Sequence, residues 1–376
     1  MNRQSIQNYI AENKEYLYLI HRELCAIPAP SNFERERAEY CKRALESAGA
    51  EGVYIDAADN VIYPYCCEGR DSVSVFAAHL DTVFSDREPM PYYDDGVRIH
   101  SPGAADDTAS VAVLLLCAMY FARYKPKAKN GILFVFNSCE EGLGNLKGVR
   151  QLFSDFADRI GRFITFDSQL DEVCDSCVGS HRYEVVAKTD GGHSWGDFGN
   201  KNAIAVLSGI VCEIYSLDLP KKDAAHTTFN VGTIFGGTSV NTIAQSASML
   251  CEYRSSDPEC LEYMRVHFDG IFDRARTEGV ELQVTRVGER PCGSICPELV
   301  DELKSRVAPI IEGILGRGVK YKSGSTDCNI PMSLGIPALC VGADMYCGIH
   351  TREEWVDKQS MLTGLEIAIS LGYALS

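Results

Sequence analysis

The sequence has no long apolar run and few basic residues. No stretch approaches the ~20 apolar residues that a membrane-spanning helix needs, and residues 1–7 lack the apolar segment of a secretory signal. Lysine and arginine number 36 against 52 aspartates and glutamates, giving a formal net charge of -16. This balance argues against nucleic acid and anionic membranes as partners, because a phosphate-binding surface needs clustered basic side chains. Because neither a signal segment nor a membrane span is found in the sequence, we expect a cytoplasmic protein.

Internal repeats, low-complexity tracts and a Gly-rich phosphate cradle are also missing. What is present is a chain of 376 residues with 45% hydrophobic and 23% charged residues, an ordinary globular composition. The 16 cysteines are interpreted as reduced thiols, because no export signal accompanies them. The length exceeds what one hydrophobic core usually organises, so we expect two domains.

Strand-like and helix-like segments alternate up to residue 179 and again after residue 290. The apolar runs typical of strands buried on both faces are 73–78, 131–137, 162–166 and 337–341. A buried helix is predicted over 107–124, and Ser31 with Glu34 is predicted to form a capping box that begins an earlier helix. The alternation predicts an α/β domain with a mostly parallel sheet and flanking helices, whose ligands gather at the carboxyl ends of the strands.

The pattern changes between residues 180 and 289. There the predicted order is strand, helix, strand, strand, helix, strand, which is the ferredoxin-like split unit. We therefore divide the chain into a catalytic domain at 1–179, an inserted α+β domain at 180–289, and the second part of the catalytic domain at 290–376.

Acidic and histidine side chains stand at the ends of the predicted strands or in the adjoining loops. The groups are His79, Asp106, Glu141, Asp167 and His350. Crowded carboxylates are costly without cations, so the arrangement predicts two divalent ions about 3.5 to 4 Å apart. We assign Asp106 as the bridge, His79 and Asp167 to one ion, and Glu141 and His350 to the other. Zinc is expected, with cobalt and manganese as alternatives.

Two further carboxylates are assigned to catalysis. Asp81 would accept the proton of the His79 nitrogen that faces away from the metal. Glu140 would be the general base on the water between the ions, and would later protonate the leaving amine. Taken singly, each residue has an ordinary explanation as a strand-end histidine, a solvated turn or a helix N-cap. Their ordered co-occurrence favours a two-metal hydrolase of amide bonds.

These motifs resemble, in order, those of the co-catalytic zinc metallopeptidase family that includes peptidase T, glutamate carboxypeptidase, aminoacylase and succinyl-diaminopimelate desuccinylase. The resemblance spans nearly the whole chain and implies a zinc-peptidase-like catalytic domain with an inserted lid that forms a homodimer. It implies that His193 reaches the partner's active site and steadies the oxyanion. It also implies substrate binding by Asn241, by the loop with Ser323 and Gly324, and by Arg254, which would hold a substrate carboxylate.

Without this resemblance, a loop histidine and a surface salt bridge would explain His193 and Arg254. Asp167 indicates the substrate class. Many deacylases and carboxypeptidases of the family have glutamate at this position, whereas aspartate resembles the aminopeptidase and dipeptidase branch such as peptidase T. We therefore expect removal of amino-terminal residues from short peptides.

Three alternatives to this peptidase stay open. The first, within the family, is N-acyl amino acid deacylation or carboxypeptidase activity. An alternative of another class is a binding protein that kept the fold and lost catalysis, although the base and every ligand are present. A two-metal phosphoesterase is disfavoured because Arg254 is the only obvious anion receptor at the site.

Overall fold

The computed structural model describes residues 3–223, 225–293 and 295–376. The helices are Arg3–Cys25 (α1), Arg35–Ser47 (α2), Thr108–Tyr124 (α3), Lys147–Phe156 (α4), Ala203–Tyr215 (α5), Pro258–Ala275 (α6), Pro297–Leu315 (α7), Asn329–Ser333 (α8) and Lys358–Leu375 (α9). None of the helices in these ranges combines the length and apolar character that a membrane span requires.

The strands alternate with these helices along the chain. They are Tyr54–Ile55 (β1), Val61–Tyr65 (β2), Val73–His79 (β3), Tyr93–Asp94 (β4), Arg98–His100 (β5), Gly131–Asn137 (β6), Ile160–Phe166 (β7), Glu172–Cys177 (β8), Gly179–Lys188 (β9), Gly192–His193 (β10), Thr227–Gly236 (β11), Thr242–Ile243 (β12), Ser246–Ser255 (β13), Glu281–Arg290 (β14), Lys320–Gly324 (β15), Ala338–Val341 (β16), Tyr346–Cys347 (β17) and Trp355–Asp357 (β18).

The chain forms two compact units. One comprises Met1–Cys177 with Ser294–Ser376, and the other comprises Val178–Gly293. All 16 cysteines are free thiols. The role of the second unit as a lid and dimerisation domain stays a prediction.

The first unit is built on an eight-stranded sheet of order β1-β2-β6-β3-β7-β16-β8-β15. The central strands β6, β3, β7 and β16 run parallel to one another. Every residue of β3, β6 and β16 is buried, as expected for strands covered on both faces by helices. The predicted α/β fold with a mostly parallel sheet and flanking helices is therefore confirmed.

The start of α2 differs from its prediction, because Ser31 and Glu34 form no capping box. Glu34 is the N-cap residue and its side chain makes no cap hydrogen bond. Instead Ser31 Oγ donates to Asp81 at 2.6 Å, and Glu34 Oε1 accepts from the backbone N–H groups of Asn32 and Cys139 at 2.9 and 3.0 Å. Both side chains join this turn to the loops after β3 and β6, which is a tertiary use that a local motif does not reveal.

The prediction of a Gly/Ser loop at Ser323 and Gly324 is wrong in part, because both residues belong to β15 at the edge of the sheet. They pair in parallel with Ser176 and Cys177 of β8. The strand is mostly exposed and its sequence, Lys-Tyr-Lys-Ser-Gly, lacks the apolar run that marks a buried strand.

The second unit has a four-stranded antiparallel sheet of order β11-β13-β9-β14. Along the chain the elements follow as β9, α5, β11, β13, α6 and β14, with the strand order of a ferredoxin-like split unit. Both helices pack on the sheet around a separate core that includes Tyr183, Val185, Met249, Phe268 and Phe272. The short strands β10, which follows β9, and β12, which precedes β13, pair with each other as a separate two-stranded sheet.

Candidate active site

Adjacent parallel strands of the first unit bring histidine and carboxylate side chains to one edge of the sheet. His79 is the last residue of β3, Glu140 and Glu141 follow β6 after two residues, and Asp167 follows β7 directly. His350 lies in the segment after β16. Because the carboxyl ends of parallel strands share one edge, these groups meet although they are far apart in the sequence.

Asp106, from the loop before α3, lies at the centre of the cluster. Its Oδ1 is 3.1 Å from His79 Nε2, and its Oδ2 is 3.0 Å from His350 Nε2. His350 Nε2 also lies 3.1 Å from Glu141 Oε1. The two oxygens of one carboxylate therefore face two different histidines, which is the arrangement a bridging carboxylate needs.

Three sets of side chains have ligand atoms that lie within 4.8 Å of one another. The sets are Asp106 with Glu141 and His350, His79 with Asp107 and Asp167, and His79 with Glu140 and Glu141. Two ligands about 2.0–2.1 Å from a tetrahedral zinc ion lie about 3.3 Å apart, close to the spacings around Asp106. Among the described residues, the buried atoms His79 Nε2 and Asp106 Oδ1 have no hydrogen-bond partner. The donor set thus fits two divalent ions of the kind that histidine and carboxylate bind.

The electrostatics of the cluster also favour cations. Burial, reinforced by the charge of Asp106, raises the pKa of Glu141 to about 7 and that of Asp167 well above its ordinary value. Burial likewise raises the pKa of Asp107. For Asp106, the effect of burial is outweighed by the nearby imidazoles of His350 and His79, which lower its pKa. Several carboxylates therefore cannot all be charged at low cost unless positive ions lie among them.

Asp81 connects the histidine of the cluster to the two glutamates. Its buried carboxylate accepts from the backbone N–H groups of Glu140 and Glu141, both at 2.9 Å, and from Ser31 Oγ. His79 Nδ1 lies 3.4 Å from Asp81 Oδ1 and 3.1 Å from its carbonyl oxygen. With its Nδ1 proton directed to Asp81, the imidazole presents the Nε2 lone pair to the cluster.

Two carboxylates near the cluster were not singled out in the sequence. Asp107 is the N-cap residue of α3 but makes no side-chain cap bond, and its Oδ2 accepts from His79 N–H at 2.9 Å. Asp327 is buried and accepts from Asn137 Nδ2 at 2.8 Å. Burial, with the charge of Glu140, raises the pKa of Asp327 to about 7. The sequence signals were the aspartate directly after Asp106 and the aspartate three residues after Gly324.

In the second unit, His193 and Asn241 lie close together. His193 belongs to β10, which pairs with the strand that follows Asn241, and the N–H of Ser194 donates to the Asn241 carbonyl at 3.0 Å. His193 Nδ1 accepts from the backbone N–H groups of Trp195 and Gly196 at 3.2 and 3.3 Å. The proton of the neutral imidazole is therefore on Nε2, which is directed away from these bonds and is a donor.

Arg254 lies at the other end of β13. It is about 26 Å along the strand from Ser246, at a rise of about 3.3 Å per residue. Its guanidinium donates from Nε and Nη2 to Glu252 at 2.8 and 3.1 Å. The second unit therefore groups His193 with Asn241 and holds Arg254 apart from both.

Residues 75–372 match the model of peptidase family M20/M25/M40. Among curated relatives, a peptidase M20 domain-containing protein of Schizosaccharomyces pombe is 28% identical over 277 residues, 71% of this chain and 66% of that protein. This chain thus spans just under two thirds of the length of that relative. The succinyl-diaminopimelate desuccinylase of Corynebacterium glutamicum is 24% identical over 89% of this chain and 90% of its own.

Solved structures share the fold. The aminopeptidase PepT of Bacillus cereus has a TM-score of 0.73 at 20% identity and covers 96% of this chain and 99% of its own. A tripeptidase of Staphylococcus aureus has a TM-score of 0.75 at 22% identity and covers 96% and 98%. A dinuclear metal-binding peptidase of Bacillus subtilis has a TM-score of 0.64 at 15% identity, and covers 96% and 99%.

Proposed function

The chain belongs to peptidase family M20/M25/M40 and is a metallohydrolase, and from this premise we propose that it removes amino-terminal residues from short peptides with two divalent ions. The observation that carries the two-ion site is Asp106, whose oxygens face His79 and His350 separately. We assign His79 and Asp167 to one ion, Glu141 and His350 to the other, and Asp106 to both. The cytosolic location stays a prediction.

The chain's own residues divide the chemistry among them. When bound, the two ions would polarise the scissile carbonyl and increase the acidity of the attacking water. The Glu140 carboxylate takes the proton from this water and delivers it to the leaving amine nitrogen, so the proton count balances over the reaction. Asp81 holds the backbone of Glu140 and orients His79, which fixes the base relative to the ligands.

The second unit supplies the remaining roles in this proposal. The Nε2–H of His193 would donate to the oxyanion in the active site of a partner subunit, because its Nδ1 already accepts two backbone N–H groups. Asn241, beside it, would bind the same substrate. Arg254 would bind a substrate carboxylate after exchanging its contact with Glu252. Ser323 and Gly324 would contact the substrate from the first unit.

A homodimer through the second unit is part of this proposal. The strand β11 is at the edge of its sheet, so its outer backbone groups have no partner strand within the described unit. Ile234 and Phe235 on this strand are exposed, as is Ile204 at the start of α5. Exposed apolar side chains beside an open strand edge are typical of a surface that another chain covers.

The substrate class is supported by Asp167 and by the similar structures named as an aminopeptidase and a tripeptidase. N-acyl amino acid deacylation is the second candidate. Its support is the relative named as a succinyl-diaminopimelate desuccinylase, which is similar over 89% of this chain.

Matched substrates distinguish these activities. We expect the metal-loaded protein to cleave trialanine and its C-terminal amide, and to cleave N-acetyl-trialanine at least about 100-fold more slowly in kcat/KM, because a site that binds a free amine rejects the blocked one. Preference for an N-succinyl amino acid would establish the deacylase instead, and cleavage of the acetylated but not the amidated peptide would establish a carboxypeptidase. Glu140→Gln protein purified in parallel controls for contaminating peptidases.

Donation of His193 in trans predicts complementation. His193→Ala is expected to lower kcat by about 10²–10³-fold without changing the metal content, because one oxyanion donor is removed. When the His193→Ala and Glu140→Gln proteins are unfolded together and refolded, half of the dimers are mixed. Each mixed dimer has one site with both groups, so about a quarter of wild-type activity should return.

A mixture of Glu140→Gln with the His193→Ala/Glu140→Gln double variant is the control and should stay inactive. Mixed dimers that form, as judged by size and by differently tagged subunits, but regain no activity would contradict donation in trans.

A further inference from the structure

Glu354 is a buried residue whose carboxylate accepts three hydrogen bonds from the loop that carries Asp106. The residue is only 1% exposed. Oε1 accepts from the backbone N–H groups of Ala105 and Asp106 at 2.7 and 3.0 Å, and Oε2 accepts from Gly103 N–H at 2.9 Å. One side chain therefore binds three of the four consecutive backbone donors from 103 to 106.

The loop between β5 and α3 has little regular structure to hold it in place. Gly103 has a φ of +71°, and a Cβ there would lie 2.7 Å from Thr82 Cγ2, so the turn is tightly packed and suited only to glycine. Within the loop, the Ala104 N–H donates to the Ser101 carbonyl at 3.1 Å. The N–H groups of Gly103, Ala105 and Asp106 need an acceptor, and the Glu354 carboxylate provides it.

Glu354 also belongs to the segment that carries His350. The chain turns tightly around His350, with Thr351 N–H donating to the Gly348 carbonyl at 3.0 Å. Directly after Glu354, Trp355 pairs with His100 of β5, next to the Asp106 loop. The same short segment thus contacts Asp106 twice. Glu354 accepts from the backbone N–H of Asp106, and His350 contacts the Asp106 carboxylate.

From this juxtaposition we propose that Glu354 is a positioning residue that holds the Asp106 carboxylate between the two metal positions. Its carboxylate contacts backbone N–H groups and is not among the clustered ligand atoms of the described residues. It sets the distance from the Asp106 backbone to the segment of His350, and so it determines whether Oδ1 and Oδ2 can serve two ions at once. The inference deepens the proposed function and rests on its two-ion site.

Zinc titration of the metal-free protein with a competing chelator tests the inference. Glu354→Gln keeps the volume but replaces one acceptor oxygen with an NH₂ group that cannot accept. We expect a 10–100-fold loss of affinity for the more weakly bound zinc ion, the range found when groups supporting metal ligands are changed. At saturating zinc, kcat should fall and KM should change little, because the substrate contacts are unaffected.

Asp257→Ala is the matched control for a merely structural effect. Asp257 accepts from the backbone N–H groups of Glu259 and Cys260 at the start of α6, so its removal also leaves backbone donors without an acceptor. This variant should melt at a lower temperature but bind zinc as the wild type does. If Glu354→Gln does not fold, Glu354→Asp, which keeps both oxygens on a shorter side chain, is measured in the same way.

The outcomes distinguish a failure of this inference from a failure of the proposed function. Two zinc ions in the wild type and a weakened second ion in the Glu354 variant support the inference. If the Glu354 variant binds each ion as tightly as the wild type does, the inference is overturned and the proposed function stands. A wild-type protein that binds fewer than two ions overturns the proposed two-ion site itself.

Discussion

Removal of divalent ions by a chelator is expected to abolish peptide hydrolysis, and zinc, cobalt or manganese should restore it. Without cations, the base has no activated water to deprotonate, and the carboxylates around Asp106 repel one another at the sheet edge. The metal-free protein should also melt at a lower temperature. Ions that bind only the folded chain stabilise it by about 4 kcal/mol at a concentration 1,000 times their Kd.

The measurement compares hydrolysis rate, metal content and melting temperature before and after chelation. The Asp106→Asn variant provides a second way to deplete the protein of metal, because a side-chain amide does not offer two anionic oxygens to the ions. Full hydrolysis by protein shown to be free of metal would contradict the assignment of the site.

Loss of the ions should also change how stability depends on pH. In the metal-free protein the pKa of Glu141 is raised to about 7 by burial and by Asp106, from an ordinary value of 4.5. The folded state then binds more protons than the unfolded state, so the free energy of unfolding falls as pH rises through this window. The raised pKa values of Asp167 and Asp107 act in the same direction, as does that of His350, raised to about 10.

The metal-free protein is thus expected to be more stable at about pH 5 than at about pH 8. The metal-loaded protein should lose this trend, since bound ions favour the deprotonated ligands. Melting curves across this range, with and without chelator, measure the difference. A metal-free protein whose stability rises with pH would show that these carboxyl groups do not carry the effect.

Glu140→Gln is expected to fold and bind both ions but to lose about 10²–10⁴-fold in kcat, because only the proton acceptor is removed. Glu140 is 5% exposed, and its backbone N–H donates to Asp81, so the glutamine side chain should occupy the same volume. KM should stay near the wild-type value, since the general base contributes to the transition state more than to substrate binding.

The neighbouring residue supplies the control for this prediction. Glu141 faces His350 Nε2 at 3.1 Å and is assigned as a ligand, so Glu141→Gln should lower the metal content as well as the rate. Metal analysis of the two variants separates the base from the ligand. If Glu140→Gln loses metal while Glu141→Gln keeps it, the two roles are exchanged.

Much of the first unit was predictable because its strands are apolar throughout. Gly131–Asn137 has the predicted bounds, and β3 and β16 differ from prediction by one residue. Once the strands are recognised, parallel pairing brings His79, Glu141 and Asp167 to one edge, and their clustering follows from topology.

The features that sequence reasoning missed depend on tertiary contacts. Glu34 has the spacing of a capping residue, yet its carboxylate accepts from Cys139 N–H, 105 residues further on. Glu354 looks like an ordinary charged residue near His350, and only the folded loop shows that it binds Gly103 and Ala105. Local patterns contain no information on which distant backbone donor a buried carboxylate will meet.

The second unit was less predictable at its candidate positions. Its strand order follows from the alternation of elements, but the separation of Arg254 from His193 and Asn241 depends on which ends of β13 and β9 they occupy. Without the resemblance to a family, nothing in the sequence would distinguish Arg254 from a surface arginine paired with Glu252.

The position of β16 in the sheet has a consequence for the order of assembly during synthesis. This strand, residues 338–341, lies between β7 and β8, although more than 160 residues separate it from either of them in the chain. Until β16 emerges from the ribosome, the edge of β7 that pairs with it has no partner strand. Exposed edges of apolar strands promote misassociation of nascent chains. The sheet edge that carries the candidate metal ligands is therefore complete only after β16 has been inserted.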